Sequence, residues 1–297
     1  MKPSSLNFAA LPEDEFKESK RQGKWIELLT IFGAILFLMA ALESSAVVRL
    51  AGMAVSVSVV TFVGYMLFLN RKNHVSIVLR KFAESNGFKL SEEPGYKSIG
   101  VVFDGQDNSL VTSHKIDGQL EGFNFSLYWR PYSLKSTGKH YASFLGVIEI
   151  ELPKTMPHIF IDRKENNFLG LDLLGSFSRK DIIELEGQFR KKYRVFYVDN
   201  YQVATLTILN PHFMSVLLDI DEPVDFEFVE NKLFIYYLEQ TVDNEFIVPS
   251  TSTKVLTATA ELVVREFSKQ LDTFQFESDE KIPNEIRESM LKKSVRK

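Results

Sequence analysis

The chain has 297 residues, 45% of them apolar and 25% charged, enough for one or two domains. A formal net charge of −4 argues against nucleic acid as a partner. The absence of cysteine excludes disulfides, thiolate nucleophiles and cysteine-based zinc or iron–sulfur sites.

Residues 1–24 are largely polar and read as a cytoplasmic N-terminal segment. The apolar weight of the chain follows in two runs. "WIELLTIFGAILFLMAAL" (25–42) carries one charge, Glu27, and "LAGMAVSVSVVTFVGYMLFL" (50–69) carries none. At about 18 and 20 residues, each helix would rise roughly 27–30 Å, close to the hydrocarbon thickness of a bilayer. The reading is a transmembrane helical hairpin over 25–69, with the lipid bilayer as its first partner. The alternative is a buried hairpin within a soluble core. A cleaved signal peptide is disfavoured, because no A-x-A-like site follows the first run.

Lys17, Lys20, Arg21 and Lys24 precede the first run, and Arg71, Lys72, Arg80 and Lys81 follow the second. The connecting "LESSAVVRL" (42–50) offers only Arg49. This bias places both termini in the cytoplasm. Trp25, Arg49, Tyr65, Arg71 and Lys72 are the expected membrane-interface residues. Gly33, Ala34, Gly52, Ser56 and Ser58 are small enough to let two helix backbones approach.

Residues 73–276 read as an α+β cytoplasmic domain. "HVSIVLRKFAESNGFKL" (74–90) places Val75, Val78, Leu79 and Phe82 at helical spacing and stops at Asn86-Gly87. A β-rich stretch follows: "KSIGVVF" (97–103), "GQLEGFNFSLYW" (118–129), "YASFLGVIEIEL" (141–152) and "HIFIDR" (158–163). Phe123, Phe125 and Leu127 alternate with Asn124, Ser126 and Tyr128, which predicts one buried and one wetter face. "RPYSLKSTGKH" (130–140) reads as an exposed loop, and Pro153 and Pro157 as breaks in the next connection. "SRKDIIELEGQFRKKY" (178–193) reads as a helix opened by Ser178 and Asp181 at capping-box spacing.

"YRVFYVDN" (193–200) reads as a short strand. In "NPHFMSVLLDI" (210–220), Asn210 suits an N-cap, and Pro211 the first helical position, where its missing amide hydrogen costs nothing. "VDFEFVENKLFIYYL" (224–238) reads as a hairpin turning at Glu230-Asn231. "STKVLTATAELVVREFSKQLDTF" (252–274) is an amphipathic helix whose buried face is Leu256, Ala260, Val263, Phe267 and Leu271. The tail, 277–297, is mostly charged and reads as mobile, with Lys292, Lys293, Arg296 and Lys297 near an end.

No phosphate-binding loop, dinucleotide fingerprint, zincin motif or nucleophile elbow occurs, and no cofactor is expected. Asp104, Asp107, His114 and Asp117, in "FDGQDN" and "SHKIDG", form the best polar constellation, a ligand or divalent-metal loop on one reading. They fail the calcium-loop spacing, and turn formation alone accounts for Asp and Gly there. His212, in the first turn of a helix, is either a base or an exposed residue. "FRKKYR" (189–194) offers either a phosphate-binding patch or cations that favour a helix C-terminus. Tyr128, Trp129 and Tyr132 around Arg130 suit either a binding face or a peripheral cluster.

The order of a two-helix membrane hairpin, a juxtamembrane helix, a β-rich section, "FRKKYRVFYVDNYQVATLTILNPHFMSVLLDI" and "NKLFIYYL" resembles a bacterial family of membrane-anchored proteins carrying a domain of unknown function. Leu209, Asn210, Pro211, Phe213 and Met214 match the family's helix start, with Asn210 where Thr is usual; both are N-caps. The resemblance implies a bacterial, membrane-bound protein and supplies no activity and no site residues; with the basic flanks, the expected location is the inner (cytoplasmic) membrane. Two functions stay open: a membrane-tethered interaction or scaffold module with a membrane or cytoplasmic protein partner, or a membrane-associated enzyme or ligand sensor built on the Asp104–Asp117 constellation.

Overall fold

Six consecutive residues from Lys115 to Leu120 form a strand, β2, because the chain reverses at once through Glu121 and Gly122. Both turn residues have positive φ, 48° and 87°, the conformation that matches a two-residue turn to strand twist. The computed structural model describes residues 5–9, 11, 28–29, 31–35, 37–39, 42, 45–92, 100, 114–136, 139–166, 182–183, 185–197, 201–240 and 250–271; side chains at 49, 63, 66–74, 131–136, 139–144 and 239–240 fall outside that description. Of "KSIGVVF" only Gly100 is described, and the charged tail lies outside the described residues.

The chain divides into two bodies, residues 8–82 and residues 1–7 with 83–297. The first is helical. Helical backbone over 31–35 and 37–39 precedes α1 (Ala46–Ser85), a 40-residue helix that runs unbroken through "HVSIVLRKFAES". A methyl group added at Gly33 would overlap the Val60 side chain, so the two helical stretches touch there. Of the small residues expected at this contact, Gly33 and Ser56 are buried, whereas Ala34 and Ser58 are exposed. Among the described residues, no helix is long and apolar enough to cross a membrane.

The second body is α+β, with a mixed set of helices on an antiparallel sheet. Helix α1 ends within it by a Schellman motif. Gly87 (φ 71°) lets Phe88 N–H reach the Ala83 carbonyl at 2.8 Å and Gly87 N–H reach Glu84 at 3.2 Å. Strand β1 (Lys89–Ser91) pairs with β2, which pairs with β3 (Phe123–Ser136). β3 pairs with β4 (Lys139–Arg163) from Phe125↔Ile150 to Ser136↔Lys139. The expected exposed loop over 130–140 is therefore strand on both sides of residues 137–138, because its β-compatible Tyr132 and Leu134 continue the ladder against Ser143 and Tyr141.

β4 is the spine of the sheet. Its first half lies between β3 and β7 (Val224–Gln240), its second between β6 (Tyr193–Tyr197) and the other half of β7. Pro153 and Pro157 do not end the strand. They sit where the β4–β7 register shifts, between Glu151 and Ile159, where a missing amide hydrogen breaks no ladder bond. The expected hairpin over 224–238 is likewise one bent strand: Glu230 takes φ 53° opposite Met156, and the chain continues in the same direction along β4.

The helix expected over 178–193 is shorter. Ile182–Ile183 form β5 against β6, and only Gly187–Lys192 is helical, α2. Helix α3 (Gln202–Ile208) was not foreseen; α4 (Pro211–Leu218) was, with Asn210 Oδ1 accepting from Phe213 N–H at 3.0 Å. α5 (Ser250–Ser268) closes the body with Leu256, Ala260, Val263 and Phe267 fully buried, as its periodicity predicts. Phe267 meets Phe213 and Phe228 at 5.5 and 5.4 Å between ring centroids, fixing α4 and α5 to β7. Burying each such ring is worth about 1.5–3 kcal/mol. Gly146 admits Leu256 and Ser252 against the sheet, and Ser252 Oγ accepts from Trp129 Nε1 at 3.0 Å.

Candidate functional site

Strand alternation puts Leu127, Ile148 and Ile235 on the face that also carries Trp129 and Gly146, the residues that α5 packs against. The opposite face carries buried polar groups in two clusters, both built on β4 and β7.

The first joins His158 of β4 to Glu227 and Tyr236 of β7. His158 Nε2 lies 2.8 Å from Glu227 Oε1, and Tyr236 Oη donates to Glu227 Oε2 at 2.5 Å. All three are enclosed, at 1%, 0% and 0% exposure. Burial, then the Glu227 charge, pushes the Tyr236 phenol well above its usual range, so it stays a donor. Gly100 lies directly on the pair: a Cβ there would overlap Glu227 Oε2 and Tyr236 Oη. Beside it, Glu149 (4% exposed) pairs with Lys232 at 2.5 Å.

The second cluster sits where β4 ends. Arg194 of β6 lies opposite Asp162 of β4 and grips Asp162 Oδ2 through Nε at 2.6 Å and Nη2 at 2.5 Å. Asp225 of β7 follows one residue before the Phe226↔Ile161 pair, beside Asp162. Its Oδ1 accepts from Arg163 N–H at 2.6 Å and its Oδ2 from Asn166 Nδ2 at 2.8 Å. Both carboxyls are fully buried, and burial raises both. The Asp162 charge raises Asp225 further. Asp162 Oδ1 and Asn166 Oδ1 have no hydrogen-bond partner. Arg163 itself is spent on the fold, donating to Tyr193 Oη at 3.0 Å and the Ile220 carbonyl at 2.9 Å.

Sequence reading did not single out these residues. Asp225 and Glu227 alternate with Val224, Phe226 and Phe228, a pattern that reads as a wet face; here both faces are covered. The residues that sequence did single out are arranged differently. Asp104 and Asp107 lie outside the described residues. His114 is buried just ahead of β2, while Asp117 is half-buried, pairs with Lys115 at 2.9 Å and accepts from Ser126 Oγ at 2.6 Å. Among the described residues, no three His, Cys, Asp or Glu side chains are grouped to hold a metal. His212 is exposed at the start of α4, 3.3 Å from Glu266.

In "FRKKYR", Lys192 Nζ donates to the Leu218 and Ile220 carbonyls at 2.6 Å each, at the C-terminus of α4. With Arg194 on Asp162, two cations of this run are structural. Tyr128 (0% exposed) and Trp129 (8%) are core residues on opposite faces of β3; the Tyr132 side chain lies outside the described residues. Of the expected membrane-interface residues, Tyr65 is exposed on α1, Arg49, Arg71 and Lys72 have helical backbone, and Trp25 lies outside the described residues.

The geometry is that of an enclosed polar layer, in which nearly every donor already has an acceptor. It can orient strands and hold protons, but its charged groups are closed to solvent. No family model matches the chain, and no curated protein does. Among solved structures, the chain is similar to the crystal structure of the mycobacterial trehalose monomycolate transport factor A, TtfA, with a TM-score of 0.40 and 12% identity, over 62% of this chain and 90% of that one.

Proposed function

We propose that this chain is a membrane-tethered module whose α+β body works at the cytoplasmic face of a bacterial inner membrane, binding or scaffolding another protein there. One observation carries the anchoring. Of the twenty-one large apolar side chains exposed among the described residues, eighteen fall between Leu28 and Tyr65. They include Leu42 at 86%, Val47 at 77%, Leu50 at 70% and Phe62 at 63%. A water-soluble helical pair turns such side chains inward, and an apolar surface this continuous marks a membrane or protein contact.

The hydroxyls of this unit support the same reading. Ser56, Ser58 and Thr61 donate to the carbonyls of Gly52, Ala54 and Val57, four residues back on their own helix, at 2.8–2.9 Å. Such bonds need no water. The basic flanks of the two runs support a cytoplasmic body. An interaction role is favoured over catalysis because the polar clusters with chemical potential are enclosed.

The test is extraction from native membranes. The full chain is expected to sediment with membranes, to resist alkaline carbonate and to come off in detergent. Release by carbonate would overturn the anchoring. In vivo photo-crosslinking from exposed positions such as Gln119 should then trap a discrete protein partner, and a body that yields none at any exposed position would overturn the interaction role.

A further inference from the structure

The two ends of the 8–82 segment are held together twice, once in each body. Within the α+β body the link is polar. Asn7 N–H donates to Asn86 Oδ1 at 2.7 Å, and Asn86 Nδ2 donates back to the Asn7 carbonyl at 3.1 Å. Two residues earlier, Ser5 N–H and Ser5 Oγ both donate to Glu261 Oε1, at 2.8 and 2.7 Å. Glu261 is 2% exposed, and Arg265 holds the same oxygen at 2.7 Å. A buried carboxylate with three donors is a firm attachment, because charge-assisted bonds are about twice as strong as neutral ones. Within the helical body the link is apolar: Phe8, its first residue, stacks on Phe82, its last, with ring centroids 6.1 Å apart.

We infer that residues 5–8 form a strap that closes the helical segment onto its own starting point, so that any passage of 8–82 through a bilayer occurs an even number of times. The crossing rests on the membrane reading above; the strap does not. The hydrocarbon layer is about 30 Å thick, far more than these contacts span, so the ends of the segment share one side. The domain is thus tied at both ends of its anchor. The conclusion is independent of the basic-residue bias, since none of the contacts involves a flanking lysine or arginine.

The absence of cysteine makes the test clean. In full-length chains in native membranes, Asn7→Cys with Asn86→Cys is expected to give an intramolecular link with a short bis-maleimide, read as linked peptides by mass spectrometry. Leu42→Cys with Asn86→Cys should give at least tenfold less. Single variants Asn7→Cys and Gln119→Cys should react with a membrane-impermeant maleimide from the same side, and Leu42→Cys from the other. No 7–86 link above the Leu42 control, or labelling of 7 and 119 from opposite sides, would overturn the strap. Carbonate release with the 7–86 link intact would overturn the anchoring and leave the strap standing.

Discussion

Replacing Asp225 by Asn should stabilise the protein at neutral pH, although it removes a buried acid with two good hydrogen bonds. Asp225 is fully buried, and beside it Asp162 Oδ1 and Asn166 Oδ1 have no partner. An amide at 225 keeps a carbonyl for the Arg163 N–H and brings two donors. These donors are brought beside Asp162, whose charge already acts on Asp225 and whose Oδ1 is bare, and opposite Asn166, whose amide can turn its oxygen toward them. Each buried acceptor left bare costs about 1–3 kcal/mol, so rescuing one gives a gain of that size. For a body of this length, each kcal/mol moves Tm by about 2–4 °C.

The pH dependence follows from the raised pKa. A carboxyl whose folded value lies above its unfolded value contributes stability that is complete below the unfolded pKa, about 4, and lost as pH rises through the folded one. Below that window wild-type Asp225 carries a proton and supplies a donor itself, so Asn gains little. Above pH 4 the advantage of Asn grows. The assay is thermal unfolding of the full chain carrying Trp25→Phe at pH 5 and pH 8, followed by emission of the remaining Trp129, which is buried against Ser252. An Asn variant less stable than wild type at pH 8, or a difference equal at both pH values, would refute the reasoning.

Gly100→Ala should destabilise by about 1–3 kcal/mol, because its methyl meets Glu227 and Tyr236; a chemical-denaturation midpoint equal to wild type would contradict that packing. Asn210→Ala removes the α4 cap and the 2.6 Å bond from Asn210 Nδ2 to Gln270, and a loss of about 1 kcal/mol is expected by the same measurement. Leu256→Ala, in the fully buried face of α5, should cost about 2–5 kcal/mol. His212→Ala should change stability by less than about 0.5 kcal/mol, since that side chain is exposed and pairs only across 3.3 Å with Glu266.

What was legible in the sequence was whatever depends on local periodicity or local chemistry. The buried stripe of α5 follows from a 3.6-residue repeat, the α4 cap from Asn210-Pro211, and the α1 stop from Asn86-Gly87. Phe125 and Leu127 turn inward and Asn124 and Ser126 are wetter as predicted, but Phe123 is only half-buried and Tyr128, expected on the wetter face, is fully buried, because that face of the sheet is covered as well. The errors come from long-range pairing. Pro153 and Pro157 signal a break in isolation, yet β7 pairs with β4 on both sides of them. Glu230-Asn231 signals a hairpin, yet the partner of each half of β7 is the same strand, so the turn becomes a bend. The polar clusters were hidden for a related reason: acids alternating with phenylalanines look solvated until a second layer covers their face, and nothing local reports that layer.

The helices of the two bodies satisfy their hydroxyls differently. Helix α5 also carries hydroxyls, and it turns them into protein: Ser252 receives the Trp129 indole, while Thr257 returns to the Thr253 carbonyl at 2.6 Å on a fully buried face. Its apolar residues lie beneath β4 and β7. Helix α1 over 47–62 has similar valines and small residues, but Val47, Val55, Val57 and Phe62 point outward, and among the described residues of that stretch Ser56 alone is buried. An outward valine in water forfeits much of the burial free energy that an inward one gains, about 25 cal/mol per Å². Among the described residues, the outward surface of 28–65 thus carries eighteen of the twenty-one exposed large apolar side chains, and that contrast with the covered face of α5 is what the proposed membrane contact rests on.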